Sequence, residues 1–104
     1  VSTFSIDVDT GAYANARGAA KIAEFRKLAD GAAFAASLGL GVNAGHGLDY
    51  HNVQPVAALP EVEELNIGHA IIARAIFCGL EQAVREMAGL IAAAGESREW
   101  PWLT

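Results

Sequence analysis

The stretch Leu40-Gly41-Val42-Asn43-Ala44-Gly45-His46-Gly47-Leu48 decides the fold, together with its echo Glu64-Leu65-Asn66-Ile67-Gly68-His69-Ala70. In each, an apolar run of strand length ends in a glycine-histidine turn, and residues of helical character follow. A strand that ends in a glycine turn and runs into a helix is the junction at which α/β proteins place their sites. Glycine lets the backbone approach a ligand closely, and the N–H groups that follow can face an anion. Histidine adds a group that titrates near neutral pH. His46 and His69 are 23 residues apart, which suits one βα repeat with a short helix.

Working outward, Thr3 to Val8 carries the β-formers Thr3, Phe4, Ile6 and Val8 and reads as a strand ended by Thr10-Gly11. Ala14 to Leu38 reads as one long helix. Ile22, Phe25, Leu28, Ala29, Ala32, Ala33 and Ala36 recur at spacings of three and four on one face, and Gly39 is placed to cap the end. Leu40 to Ala44 is the second strand, small and apolar enough to be buried on both faces. Asp49 is the candidate N-cap of a helix running to about Leu59, with Pro55 early in it and Pro60 at its end. Glu61 to Ile67 is the third strand, with Glu61, Glu63 and Glu64 as its exposed lead-in. A short helix covers Ala70 to Phe77, Gly79 interrupts, and Glu81 to Ala94 is a final helix with Val84, Met87, Leu90 and Ile91 on its apolar face. Residues 1–95 are expected to form one domain and residues 96–104, with Trp100 and Trp102, a tail.

Such alternation of strands and helices implies parallel strands joined by right-handed crossovers. Three strands cannot close a barrel. They form either a small open sheet or the C-terminal three βα units of a (β/α)8 TIM barrel. The short extra helix after the last strand favours the barrel, whose phosphate sites lie in the loops after strands seven and eight, at the start of such a helix.

Composition narrows the function classes. With 104 residues the chain suffices for one small domain, and a hydrophobic content of 53% says that it buries surface. The net charge is −5 with only 7 Lys and Arg, so nucleic acid is not expected as a partner. A small phosphorylated ligand is compatible, because backbone N–H groups bind phosphate without basic side chains. No apolar run reaches the roughly 18 residues of a membrane span, and no stretch reads as a signal peptide. The lone Cys78 lies in an apolar run and reads as a buried small hydrophobe. His46, His51 and His69 lack zinc-ligand spacing, so no metal is expected, and His51 reads as a helix-start residue near the site. Asp7 and Asp9 alternate along a strand and share a side, as solvated or strand-end carboxylates.

The residues also carry a resemblance. Thr10-Gly11-Ala12-Tyr13-Ala14, Ala33-Phe34-Ala35-Ala36-Ser37-Leu38-Gly39-Leu40, Val42-Asn43-Ala44-Gly45-His46-Gly47-Leu48, Tyr50-His51-Asn52 and Glu64-Leu65-Asn66-Ile67-Gly68-His69-Ala70-Ile71-Ile72 resemble, in this order, the C-terminal third of the pyridoxine 5′-phosphate synthase family. The resemblance implies a (β/α)8 barrel that condenses 1-deoxy-D-xylulose 5-phosphate with 3-amino-2-oxopropyl phosphate. The products are pyridoxine 5′-phosphate, inorganic phosphate and water. It implies no redox cofactor and no metal, a cytoplasmic location, and homo-oligomers, typically octamers. Carried over, His46 matches the family's general acid, and Gly47, Gly68 and His69 match positions that hold the ligand, chiefly its phosphate.

Two departures accompany it. The family's remaining catalytic groups, a histidine and a glutamate acting as bases with arginine and asparagine contacts, lie on early strands that this chain does not contain. A whole barrel takes roughly 250 residues, so the 104-residue chain alone is expected to be inactive. The family also has a histidine before the Thr-Gly pair, where this chain has Asp9. The opening run from Ser2 to Thr10 resembles instead a motif of bacterial surface proteins with a von Willebrand factor type A domain, and no function is assigned from it.

Overall fold

A computed structural model of the chain describes residues 4–95. The expectations for residues 96–104, including Trp100 and Trp102, lie outside the described residues. The elements run β1 (Ser5–Asp9), α1 (Gly11–Asn15), α2 (Ala19–Ser37), β2 (Gly41–Gly45), α3 (Val53–Ala57), β3 (Val62–Asn66), α4 (His69–Cys78) and α5 (Leu80–Ala94). The three strands form one parallel sheet in the order β1-β2-β3.

Register decides what the strand ends present. β1 and β2 align from Ser5 opposite Gly41 to Asp9 opposite Gly45. Between β2 and β3 the register shifts by one residue after Val42, which puts Leu65 opposite Ala44 and Asn66 opposite Gly45. Side chains alternate across a sheet. Val8, Val42, Ala44 and Leu65 therefore share the face that packs on the helices. Asp7, Asp9, Asn43, Glu64 and Asn66 fall on the other. That polar face is largely open, so β2 is not buried on both sides: Val42 and Ala44 are buried, Asn43 and Gly45 only partly.

The core lies between the sheet and its helices. Tyr13, Phe25, Leu28, Ala44, Leu48, Val53, Val56 and Met87 form one cluster, and Ala32, Ala35 and Val42 a second. Burial of each larger side chain stabilises by roughly 1.5–3 kcal/mol. Phe25, Leu28, Ala32 and Ala35 give α2 its buried stripe, while Ala33 and Ala36, expected on it, are exposed.

The expected helix from Ala14 to Leu38 is in fact two. α1 ends where Ala16 turns extended, and α2 starts after Gly18, whose φ is +60°. Lys21 spans the break: its ammonium donates to the Tyr13 carbonyl (3.2 Å) and lies 4.5 Å from the Tyr13 ring centre. At the other end Gly39 has φ +82°, its N–H donates to Ala36 O (2.9 Å), and Leu40 N–H donates to Ala35 O (3.2 Å). This pair of bonds is a Schellman closure, as the glycine led one to expect.

Asp49 caps a turn and not a helix. Its Oδ1 accepts the N–H groups of His51 (2.8 Å) and Asn52 (3.0 Å), and α3 begins only at Val53 and is over by Ala57. Asn52 Oδ1 in turn accepts the Asp49 N–H (2.7 Å). α4 and α5 pack against each other and are tied by Arg74, whose guanidinium donates twice to Glu86 (3.0 and 3.2 Å). No residue of α4 is buried, and Cys78 is only half-buried, because nothing described covers its outer side. Met87 is buried as expected, but Val84, expected on the same apolar face of α5, is 47% exposed, and Ala83 and Ala94 are buried instead.

Candidate functional site

The two glycine-histidine turns meet. Residues 46–49 and 66–70 face each other across a cavity of about 450 Å³ at the carboxyl ends of β2 and β3. His46, Gly47, Gly68 and His69 all line it. A second cavity of about 330 Å³ opens beside it over the polar face of the sheet, lined by Asp7, Asp9, Gly45, His46 and Asn66 among others. His46 and Asn66 border both. His51 lines neither and sits on the exposed turn that Asp49 holds.

His46 is exposed and has φ +93°; Gly47 follows at φ +76°. A non-glycine residue in this region costs on the order of 1–3 kcal/mol and persists only where the surroundings impose it. Here Thr10 bonds to the backbone on both sides of His46. The Thr10 N–H donates to the Gly45 carbonyl (2.9 Å), and the Thr10 hydroxyl donates to the His46 carbonyl. Gly11 leaves room for the imidazole: a Cβ added there would lie 2.8 Å from His46 Cδ2 and 3.0 Å from Asp9 Oδ1. Asp9 Oδ1 accepts the Gly11 N–H (2.8 Å), so this carboxylate serves the first turn of α1.

Across the cavity, α4 starts at His69 with Gly68 as its N-cap and no side chain bonded to its first N–H groups. A helix start whose N–H groups carry no side-chain cap, opening onto a cavity, suits an anionic oxygen group. Among the described residues no group of three or more His, Cys, Asp and Glu side chains converges to hold a metal ion. Thr10, Gly11, Asn66 and Asp49 belong to this constellation and were not read as site residues from the sequence, where Asp49 stood as a helix cap and Thr10-Gly11 as a strand end. The signal for Thr10 and Asn66 lies in strand register, which pairs Asp9 with Gly45 and Gly45 with Asn66.

The chain is thus a parallel α/β protein whose cavity lies at the carboxyl ends of its strands, where such sheets bind ligands. It belongs to the family described as pyridoxal phosphate biosynthesis protein PdxJ, whose model matches residues 1–93, the opening run included. The pyridoxine 5′-phosphate synthase of Legionella pneumophila (strain Corby) is 59% identical over 87 residues, covering 83% of this chain and 35% of that protein. That of Parasynechococcus marenigrum (strain WH8102) is 56% identical over 86 residues, covering 83% and 34%. The resemblance read from the motifs therefore holds, and it ties the chain to pyridoxine biosynthesis. The chain spans about a third of the length of these curated relatives.

Proposed function

We propose that residues 1–95 are the last three βα units of a (β/α)8 barrel and form the phosphate-gripping part of a pyridoxine 5′-phosphate synthase site, with residues 96–104 as a tail. The observation that carries this reading is the convergence of both glycine-histidine turns on one cavity. The backbone N–H groups of Gly47, Gly68 and His69 take the phosphate, with the dipole of α4 behind them. His46 is the general acid. Ring closure from 1-deoxy-D-xylulose 5-phosphate and 3-amino-2-oxopropyl phosphate expels oxygen leaving groups, each of which needs a proton, and an imidazole supplies one near neutral pH. The open polar face of the sheet, with Asp7, Asn43 and Glu64 in register, is the inward face of the barrel. The bases lie on strands outside these residues, and residues 1–104 by themselves lack turnover. The working assembly is a cytoplasmic homo-oligomer, and among the described residues no helix is long and apolar enough to cross a membrane.

A second reading is favoured by a specific observation: Ile72, Ile76, Phe77 and Leu80 are all exposed along α4 and its junction with α5. On this reading the chain is a non-catalytic, self-associating partial barrel that binds phosphate. Calorimetric titration of the chain with pyridoxine 5′-phosphate, with inorganic phosphate as control, tests both. Saturable binding of pyridoxine 5′-phosphate that weakens in His46→Gln supports a synthase half-site. Equal binding of both ligands, unaffected by that change, leaves a phosphate-binding module. No binding by a folded chain overturns both.

A further inference from the structure

We propose that Thr10 is the positioning residue for His46: it fixes the histidine backbone from both sides and so aims the imidazole between the two cavities. The inference rests on the reading of His46 as the ligand-facing acid.

When the two flanking peptide planes are held, φ and ψ of the residue between them are fixed, and with them the Cα–Cβ direction from which the imidazole departs. The plane before His46 carries the Gly45 carbonyl, which accepts the Thr10 N–H (2.9 Å). The plane after it carries the His46 carbonyl, which accepts the Thr10 hydroxyl. One residue therefore holds both planes across 36 positions of sequence. Thr10 is fully buried, so the donor side of both bonds is shielded from water.

The hydroxyl is diverted from an ordinary duty. Thr10 is the N-cap of α1, where a threonine oxygen normally accepts an N–H of its own helix, yet it makes no such bond. Asp9 takes that task by accepting the Gly11 N–H. Gly11 completes the seat, since any Cβ there would press on the imidazole at 2.8 Å. Held on three sides, His46 keeps a φ of +93° that a free histidine rarely adopts.

The test uses the 104-residue chain. Thr10→Val keeps the buried shape and removes the hydroxyl, whereas Thr10→Ser keeps the hydroxyl and removes a methyl. Imidazole resonances of His46, His51 and His69 are compared by NMR in the folded variants. The expected result is that only the His46 signals move in Thr10→Val and that they return in Thr10→Ser. Pyridoxine 5′-phosphate affinity should fall about two- to tenfold in Thr10→Val, the range for one lost hydrogen bond, and recover in Thr10→Ser. Unmoved His46 signals in folded Thr10→Val overturn the proposal, as do moved ones in folded Thr10→Ser. A double-mutant cycle guards against poor folding of the valine variant. Removing Thr10 lets His46 relax from its strained φ and recover part of the lost stability, whereas glycine adopts +93° freely and has no strain to recover. Replacing Thr10 should therefore lower stability more in a His46→Gly background; equal losses overturn the clamp. If Thr10→Val moves the His46 signals but His46→Gln binds pyridoxine 5′-phosphate as well as the unmodified chain, the clamp stands and the role given to His46 falls.

Discussion

Gly45 and Asn66 lie so close across the β2–β3 pair that a Cβ on Gly45 would sit 2.9 Å from both the Asn66 Cβ and the Asn66 carbonyl oxygen. The glycine is thus the condition for the last rung of the sheet, and that rung brings the two glycine-histidine turns face to face. Gly45→Ala must push the strand ends apart. It should destabilise by about 1–3 kcal/mol, the usual range for overpacking, read from the shift of a urea unfolding midpoint. An unchanged midpoint would show that the strand ends yield freely.

Glycines elsewhere predict opposite signs for the same substitution. Gly39 closes α2 at φ +82°, so Gly39→Ala should cost about 1–2 kcal/mol through the left-handed backbone alone, since nothing lies within 4 Å of its Cβ position. Gly31 is inside α2, with its Cβ position equally open and no positive φ. Gly31→Ala should stabilise by about 0.5–1 kcal/mol. Thermal unfolding of the pair checks both signs, at roughly 4–8 °C per kcal/mol for a domain of this size.

Much of the architecture was readable because its determinants are local. Apolar runs ending in glycine located β2 and β3, and the Gly39 stop located the end of α2. What escaped depends on distant residues. The break after Asn15 was hidden because Ala12, Tyr13 and Ala14 continue an acceptable helical pattern into Lys21. Asp49 looked like a helix cap, but Asn52 competes for the same turn and also donates to the Gly47 carbonyl (3.1 Å). Val84 and α4 stayed exposed because an apolar pattern shows that a face wants cover, and not that this chain supplies it. His46 and Gly68 were legible from their motifs, whereas Thr10 acts through a hydrogen bond that no periodicity encodes.

Tyr13 ties stability to alkaline pH. Its hydroxyl is buried and donates to the Asn52 carbonyl (2.8 Å). Burial first, and then the nearby Asp49 carboxylate, push its pKa up to about 12 from 10.0. A raised folded pKa means that the stabilisation is complete below the unfolded value and is lost as pH climbs through the folded one. Unfolding midpoints should therefore fall between about pH 10 and 12. In Tyr13→Phe the decline should flatten, leaving the part due to Tyr50, whose pKa burial also raises. An equally steep fall in Tyr13→Phe would assign the loss to other groups.

Gly68 separates binding from folding. Its Cβ position has nothing within 4 Å and its φ is −131°, so a side chain there meets no neighbour, and Gly68 itself lines the cavity, within reach of a leucine's length. Gly68→Leu should leave the unfolding midpoint within about 0.5 kcal/mol and abolish calorimetric phosphate binding. Retained binding would remove the start of α4 from the phosphate site.

The outer face of α4 tests the second functional reading. Ile76 is 79% and Phe77 84% exposed on α4, and Leu80 and Val84 are also exposed on α5. Exposed apolar groups gathered on one side of two helices favour association, whereas scattered ones do not. Neither side chain contributes to the core, so Ile76→Ser with Phe77→Ser should shift stability by no more than about 0.5 kcal/mol per site. Sedimentation equilibrium should then show a smaller assembly for the double variant than for the unmodified chain. A monomer in both cases would eliminate self-association through this face and leave the half-site of a larger barrel as the better account of the two converging turns.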